Sequence, residues 1–165
     1  MTFTTRRFGA ADWQEYREIR LRMLADTPLA YGETLDHARS LGDADWITRA
    51  TRNELHPNIG LAAISDEGAW LGVMSGFVSA HAGPMLVGVF VDRAARGADK
   101  GVADALLDGI IDWASIFGGT LTLDVHADNP RAIAFYRRRG FVDTGVTSDY
   151  ALPPFGTENE MRLRL

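Results

Sequence analysis

The nine residues Arg93-Ala94-Ala95-Arg96-Gly97-Ala98-Asp99-Lys100-Gly101 separate an apolar run, Met85 to Asp92, from a stretch with helical periodicity that begins at Val102. A strand that enters a helix through such a turn collects free backbone N–H groups at the helix start and adds the positive end of the helix dipole. That combination suits a phosphate or pyrophosphate. Gly97 and Gly101 allow close backbone approach, and Arg96 and Lys100 bring positive charge. The Gly-Lys-Ser/Thr ending of a P-loop and the G-x-G-x-x-G spacing of a dinucleotide fold are both missing. Taken alone, the turn is read equally well as a plain connection.

A second group lies further along. Asn129-Pro130 forms an N-cap and first-turn pair, and Tyr136 follows Asn129 by two helical turns, so an amide and a phenol share one helix face with Ala132 between them. Phe135 is rotated toward the core. By itself a Phe-Tyr pair on a helix is more often packing than catalysis. The basic run Arg137-Arg138-Arg139 has two readings: a solvated face near a helix C-terminus, or a contribution to binding a phosphorylated ligand.

Several elements must position these residues. Thr2 to Phe8 reads as a strand, and Asp12 with Glu15 reads as a capping box for a helix that starts at Trp13 and stops before Asp26-Thr27-Pro28. A second helix follows Asp43, which leaves Leu29 to Leu41 as a long connecting loop. Gly60 to Ser65 and Trp70 to Ser79 form a hairpin around Asp66-Glu67-Gly68. Met85 to Asp92 is apolar enough for a central strand covered on both faces. Apolar positions from Val102 to Phe117 repeat with helical period up to Gly118-Gly119, Thr120 to His126 alternates as a strand, and Gly140 ends the helix that begins after Asn129. Phe141 opens a further strand, and Met161, Leu163 and Leu165 alternate in a last one. This order gives a single α+β domain spanning residues 1–165, a mixed twisted sheet with helices on both faces.

Composition narrows the chemistry. The 165 residues hold no cysteine, which removes disulfides, thiolate nucleophiles and Cys-ligated zinc. His37, His56, His81 and His126 show no metal-ligand spacing, so no metal is expected. A net charge of -5 argues against a general nucleic-acid binder. No run approaches the length of about 18 apolar residues that spans a bilayer, and the N-terminus lacks a signal-peptide core. No membrane association and a cytoplasmic location are therefore expected.

Val89-Phe90-Val91, then Arg96 to Gly101, then Asn129, Ala132, Phe135-Tyr136 and Gly140-Phe141, in that order and spacing, resemble the GNAT superfamily of acetyl-CoA-dependent N-acetyltransferases. The resemblance covers most of the chain. It implies a mostly antiparallel sheet of about seven strands with a splayed parallel central pair, in a three-layer arrangement. It also implies acetyl-CoA as cosubstrate. The family's Arg/Gln-x-x-Gly-x-Gly/Ala turn falls on Arg96, Gly97, Ala98, Asp99, Lys100 and Gly101, running into Val102, whose amides would hold the pyrophosphate. Val89 and Val91 would offer backbone groups to the pantetheine arm, Asn129 would hydrogen-bond it, and Tyr136 would stand near the thioester sulfur. Asp99 occupies a position where the family usually has glycine, and its carboxylate must turn away or be offset by Arg96 and Lys100.

The implied reaction is direct attack of an amine on the acetyl thioester. A backbone N–H near Phe90 or Val91 would stabilise the oxyanion, and Tyr136 would act as the acid. Many family members carry a glutamate on the central strand, and Met85 to Val91 has no acid. Glu33, Asp124 and His126 remain as candidate bases, each with a plain structural role as the alternative. The acceptor, a small-molecule or peptide amine, is expected near Tyr31, Gly32, Glu33 and Tyr150. The acidic balance weakly favours a cationic acceptor. A homodimer is left open. The rival reading is a non-catalytic acyl-CoA-binding or interaction module of the same fold.

Overall fold

The computed structural model describes residues 2–165. Seven strands form one sheet: β1 (Phe3–Arg7), β2 (Ile59–Ser65), β3 (Trp70–Ser79), β4 (Gly83–Val91), β5 (Thr120–His126), β6 (Val142–Asp149) and β7 (Thr157–Arg164), in the order β1-β2-β3-β4-β5-β7-β6. Five helices accompany them: α1 (Trp13–Asp26), α2 (Leu35–Ser40), α3 (Asp43–Arg52), α4 (Val102–Phe117) and α5 (Pro130–Arg138). None of these helices is long and apolar enough to cross a membrane.

Alternation along the strands sends successive side chains to opposite faces of the sheet. Leu61, Ala63 and Met74 pack with Leu106, Leu107, Ile110 and Trp113 of α4 on one face. Ala62 and Val73, one position away, pack with Ile19 and Met23 of α1 on the other. Helix α5 lies beside α4, tied to it by Arg138 and Arg139 against Asp104 and by Arg139 against Asp108.

Among the described residues only β4 and β5 run parallel, and a single pair, Met85 with Thr122, is in register between them. Beyond that pair the strands diverge toward their C-terminal ends. A bulge reinforces the parting. Val73 pairs with Phe90 and Ser75 with Val87, so Met74 alone faces both Gly88 and Val89. Gly88 has φ +60, a left-handed conformation that favours glycine, and the bulge bends β4 at that point.

Three expectations need correction. The middle of β4 is not covered on both faces, because Val87 is 39% exposed where the splay opens the sheet. The connection from residue 29 to 41 contains α2, whose first turn is capped by Thr34 Oγ1 accepting from the His37 N–H at 3.1 Å. Asp12 does not cap α1 with its side chain. It accepts from the Gly9 N–H at 3.1 Å and pairs with Arg6, so a 3-10 turn at Ala10–Asp12 leads into α1 instead.

Candidate active site

The divergence of β4 and β5 opens two crevices. One has a volume of about 600 Å³ and runs between the strands toward the start of α4 and along α5. The other, about 1010 Å³, opens toward α1, α2 and α3. They meet at Ala30, Tyr31, Leu86, Val87, Gly88 and Asp124.

The first crevice is walled by Val89, Phe90, Val91, Arg96, Gly97, Ala98, Asn129 and Tyr136. Asp99, Lys100, Gly101 and Val102 lie behind that wall. The Lys100 and Gly101 N–H groups are used within the turn, both donating to the Gly97 carbonyl at 3.1 and 3.4 Å. Lys100 Nζ turns back to the Ala94 carbonyl at 2.6 Å. Among the described residues, the N–H groups of Ala98 and Ala103 on the crevice wall have no backbone partner, and neither do those of Asp99 and Val102 behind it, so unpaired donors gather at the helix start. The Asp99 carboxylate folds over Gly97, close to where a side chain on Gly97 would begin. Arg96 is less free than its sequence position suggests. Its Nε donates to the Val91 carbonyl at 2.8 Å, and its guanidinium pairs with Asp26.

Asp26 gathers Arg93, Arg96 and Arg131 around it. Burial would raise its pKa, but the Arg96 hydrogen bond and the neighbouring charges hold it below the usual carboxylate range. Arg137, Arg138 and Arg139 are likewise all paired with acids, and Arg139, only 17% exposed, packs against α4 and is not part of a solvated face. Arg138 nevertheless also reaches the crevice wall.

Asn129 caps α5, its Oδ1 accepting from the Ala132 N–H at 3.4 Å, and its amide nitrogen has no protein partner among the described residues. Tyr136 is 6% exposed and packs against Phe135 and Phe141. Its hydroxyl also has no protein partner among the described residues. Burial, with Tyr31 nearby, pushes its pKa well above ten, so it stays protonated. Tyr31 stands across the junction, its hydroxyl donating to the Val89 carbonyl at 2.9 Å. Burial pushes Tyr31 up to about 12. Of the Val89 backbone groups assigned to a bound arm from sequence, the carbonyl is thus already engaged by Tyr31.

The three candidate bases separate clearly. Glu33 is 9% exposed and sits in a cage. Arg49 donates to both its oxygens at 2.9 and 2.7 Å, and Arg20 donates through Nε and NH2 at 3.1 and 3.0 Å. Burial opposes its charge, yet the Arg49 hydrogen bonds and the Arg20 charge win and lower its pKa. A carboxylate so stabilised is a poor proton acceptor. His126 is 2% exposed with both ring nitrogens occupied. Nδ1 accepts from the Asp128 N–H at 3.0 Å, which leaves Nε2 to donate to the Phe155 carbonyl at 2.7 Å. Neither Glu33 nor His126 is therefore suited to the role. Asp124 differs: it lies at the junction of the two crevices, without a hydrogen-bond or ion-pair partner among the described residues. Burial, then Glu160, raises its pKa. Glu158 on β7 shares the second crevice, and burial and Asp124 raise its pKa too.

Tyr31, Gly32, Glu33 and Tyr150 all line the second crevice, with the Gly32 N–H donating to Tyr150 Oη at 2.9 Å. Sequence reasoning missed Arg20, Arg49, Arg52 and Glu158 on the same walls. Arg20 and Arg49 lie 13 and 16 residues from Glu33, beyond any local spacing rule. Only Arg49 and Arg52, one helical turn apart on α3, gave a local signal.

Unpaired N–H groups at a helix start, a splayed parallel strand pair and a buried phenol thus share one crevice of an α+β sheet. The sequence of residues 14–141 matches the family model of the acetyltransferase (GNAT) family, and the chain belongs to that family. Solved structures share the fold. An acetyltransferase of the GNAT family from Streptococcus pneumoniae has a TM-score of 0.81 at 18% identity, covering 99% of this chain and 100% of its own. The protein yncA from Salmonella typhimurium, solved with its cofactor acetyl-CoA, has a TM-score of 0.78 at 21% identity, covering 100% and 95%. A ribosomal-protein-alanine N-acetyltransferase from Brucella melitensis has a TM-score of 0.77 at 23% identity, covering 98% and 99%. No curated protein matches the sequence significantly.

Proposed function

We propose that the protein is an N-acetyltransferase that moves an acetyl group from acetyl-CoA to a primary amine by direct attack. The observation that carries the reading is the meeting of two crevices at Asp124, one walled by the anion-seeking turn and Tyr136, the other open to an acceptor. The residues present fit the cosubstrate. The unpaired N–H groups of Ala98 and Ala103 on the crevice wall suit a pyrophosphate, and the unpartnered Asn129 amide nitrogen would donate to a pantetheine carbonyl. Bound acetyl-CoA would supply an activated thioester carbonyl. Asp124, with its raised pKa, takes a proton from the incoming ammonium, directly or through water. The unpartnered hydroxyl of Tyr136 donates to the departing sulfur. The bulge at Gly88 and Val89 releases backbone from the β3 ladder beside this point, where an N–H can meet the oxyanion.

Thiol release from acetyl-CoA is measured across a panel of small amines and short peptides, with and without acceptor. Acceptor-dependent release supports the reading. Tight coenzyme binding with no acceptor-dependent release would instead favour a non-catalytic acyl-CoA-binding module.

A further inference from the structure

The second crevice is electrically divided. Glu33 neutralises only one of Arg20 and Arg49, so that cluster keeps one positive charge. Arg52, one turn beyond Arg49 on α3, adds a second, and its guanidinium has no hydrogen-bond or ion-pair partner among the described residues. At the opposite end stand Asp124 on β5 and Glu158 on β7. The ends are well apart. Asn53, next to Arg52, accepts from Ser75 Oγ on β3 at 2.8 Å, whereas Asp124 is on β5, so β4 lies between them. Two inter-strand spacings make that about 10 Å, and the splay widens it.

We propose that the acceptor is a small amine that also carries an anionic group, carboxylate or phosphonate, held by Arg52 and the Arg49 edge while the amine lies at Asp124. This rests on the N-acetyltransferase reading above and names its substrate class. It opposes the expectation drawn from net charge. The -5 of the whole chain is spread over the surface, whereas a bound acceptor feels the nearest groups, which at the α3 end are cationic. An amine without an anionic group satisfies only the acidic end. A diamine brings a second ammonium against Arg52.

The test uses matched probes on the full chain: 4-aminobutanoate against butylamine, 6-aminohexanoate against hexylamine, and 3-aminopropylphosphonate to compare the two anions. Acetyl-CoA-dependent thiol release is expected to favour the anionic member by about tenfold or more in kcat/KM, the low end for a charge-assisted hydrogen bond to a partly solvated arginine. Arg52→Gln is expected to remove most of that preference through KM, leaving kcat and the rate with hexylamine within about twofold. Binding of 6-aminohexanoate to the CoA-loaded protein is followed by calorimetry, which needs no turnover. Arg52-dependent binding without acetylation of any amine would sink the N-acetyltransferase reading and keep the anion subsite. Equal or better use of the plain alkylamines, an unchanged preference in Arg52→Gln, or no binding of any anion-bearing amine would overturn the proposal.

Discussion

Replacing Tyr136 with phenylalanine separates a chemical role from a structural one. The hydroxyl has no protein partner among the described residues, so its removal leaves no orphaned donor or acceptor, and the ring keeps its contacts with Phe135 and Phe141. Folding stability is therefore expected to change by less than about 0.5 kcal/mol. The kinetic effect follows from the raised pKa of the phenol. A thiol like that of cysteine titrates near 8.5, below even an ordinary tyrosine at about 10, so full proton transfer to the sulfur is uphill. What Tyr136 supplies is a hydrogen bond to developing negative charge, about 2 kcal/mol. That corresponds to a fall of about thirtyfold in kcat at 1.36 kcal/mol per decade. Stopped-flow thiol release gives kcat, calorimetry gives the coenzyme Kd, and thermal melting gives stability. A kcat within threefold of the native value would refute the acid assignment. A loss of about 2 kcal/mol in stability would show that the hydroxyl is structural.

Three further outcomes are expected. Asp124→Asn should lower kcat/KM by about 10²-fold or more and erase the acid limb of its pH profile. In the native protein that limb lies above the ordinary aspartate range, because Asp124 must lose its proton to accept another and its pKa is raised. An unchanged limb in the variant would assign it to Glu158 or to the amine. Glu33→Gln strands Arg20 and Arg49, with an expected cost of about 2 kcal/mol after allowing for partial solvent exposure, or about 4–8 °C in Tm. The folded pKa of Glu33 is depressed, so its contribution is present above the unfolded carboxylate pKa and fades as pH falls through the lower folded value. The difference between native and variant should begin to narrow near the unfolded glutamate pKa of about 4.3 and close only below the lower folded value, and a constant gap would contradict the cage. Tyr31→Phe leaves the Val89 carbonyl without its 2.9 Å donor, an expected loss of about 1 kcal/mol. If a pantetheine N–H takes that carbonyl, the thermal shift on adding acetyl-CoA should be larger in the variant, and an equal shift would argue that it binds elsewhere.

Much of the fold was legible because its signals are local. Helix α4 and strand β5 begin and end where periodicity, Gly118-Gly119 and the alternation from Thr120 to His126 place them. Asn129-Pro130 marks the start of α5, and Gly97 and Gly101 mark the turn before α4, because caps and left-handed positions depend on a few neighbouring residues. Helix α2 was missed because six residues carry too little periodicity to stand out from a loop.

The sequence by itself determined the family pattern and the order of all the strands and the longer helices, and it singled out the turn from Arg96 to Gly101 as the proposed phosphate-binding stretch. The tertiary structure alone decided which of the three candidate bases is left without a partner among the described residues. Glu33, Asp124 and His126 are indistinguishable as residue types near apolar runs. One is caged by arginines from α1 and α3, one spends both nitrogens on backbone groups, and one is left at a junction. Those fates depend on the strand order β4-β5-β7 and on helices brought together across the chain. Charge and hydrogen bonding act through space over a few ångströms, so partners far apart in sequence leave no local trace.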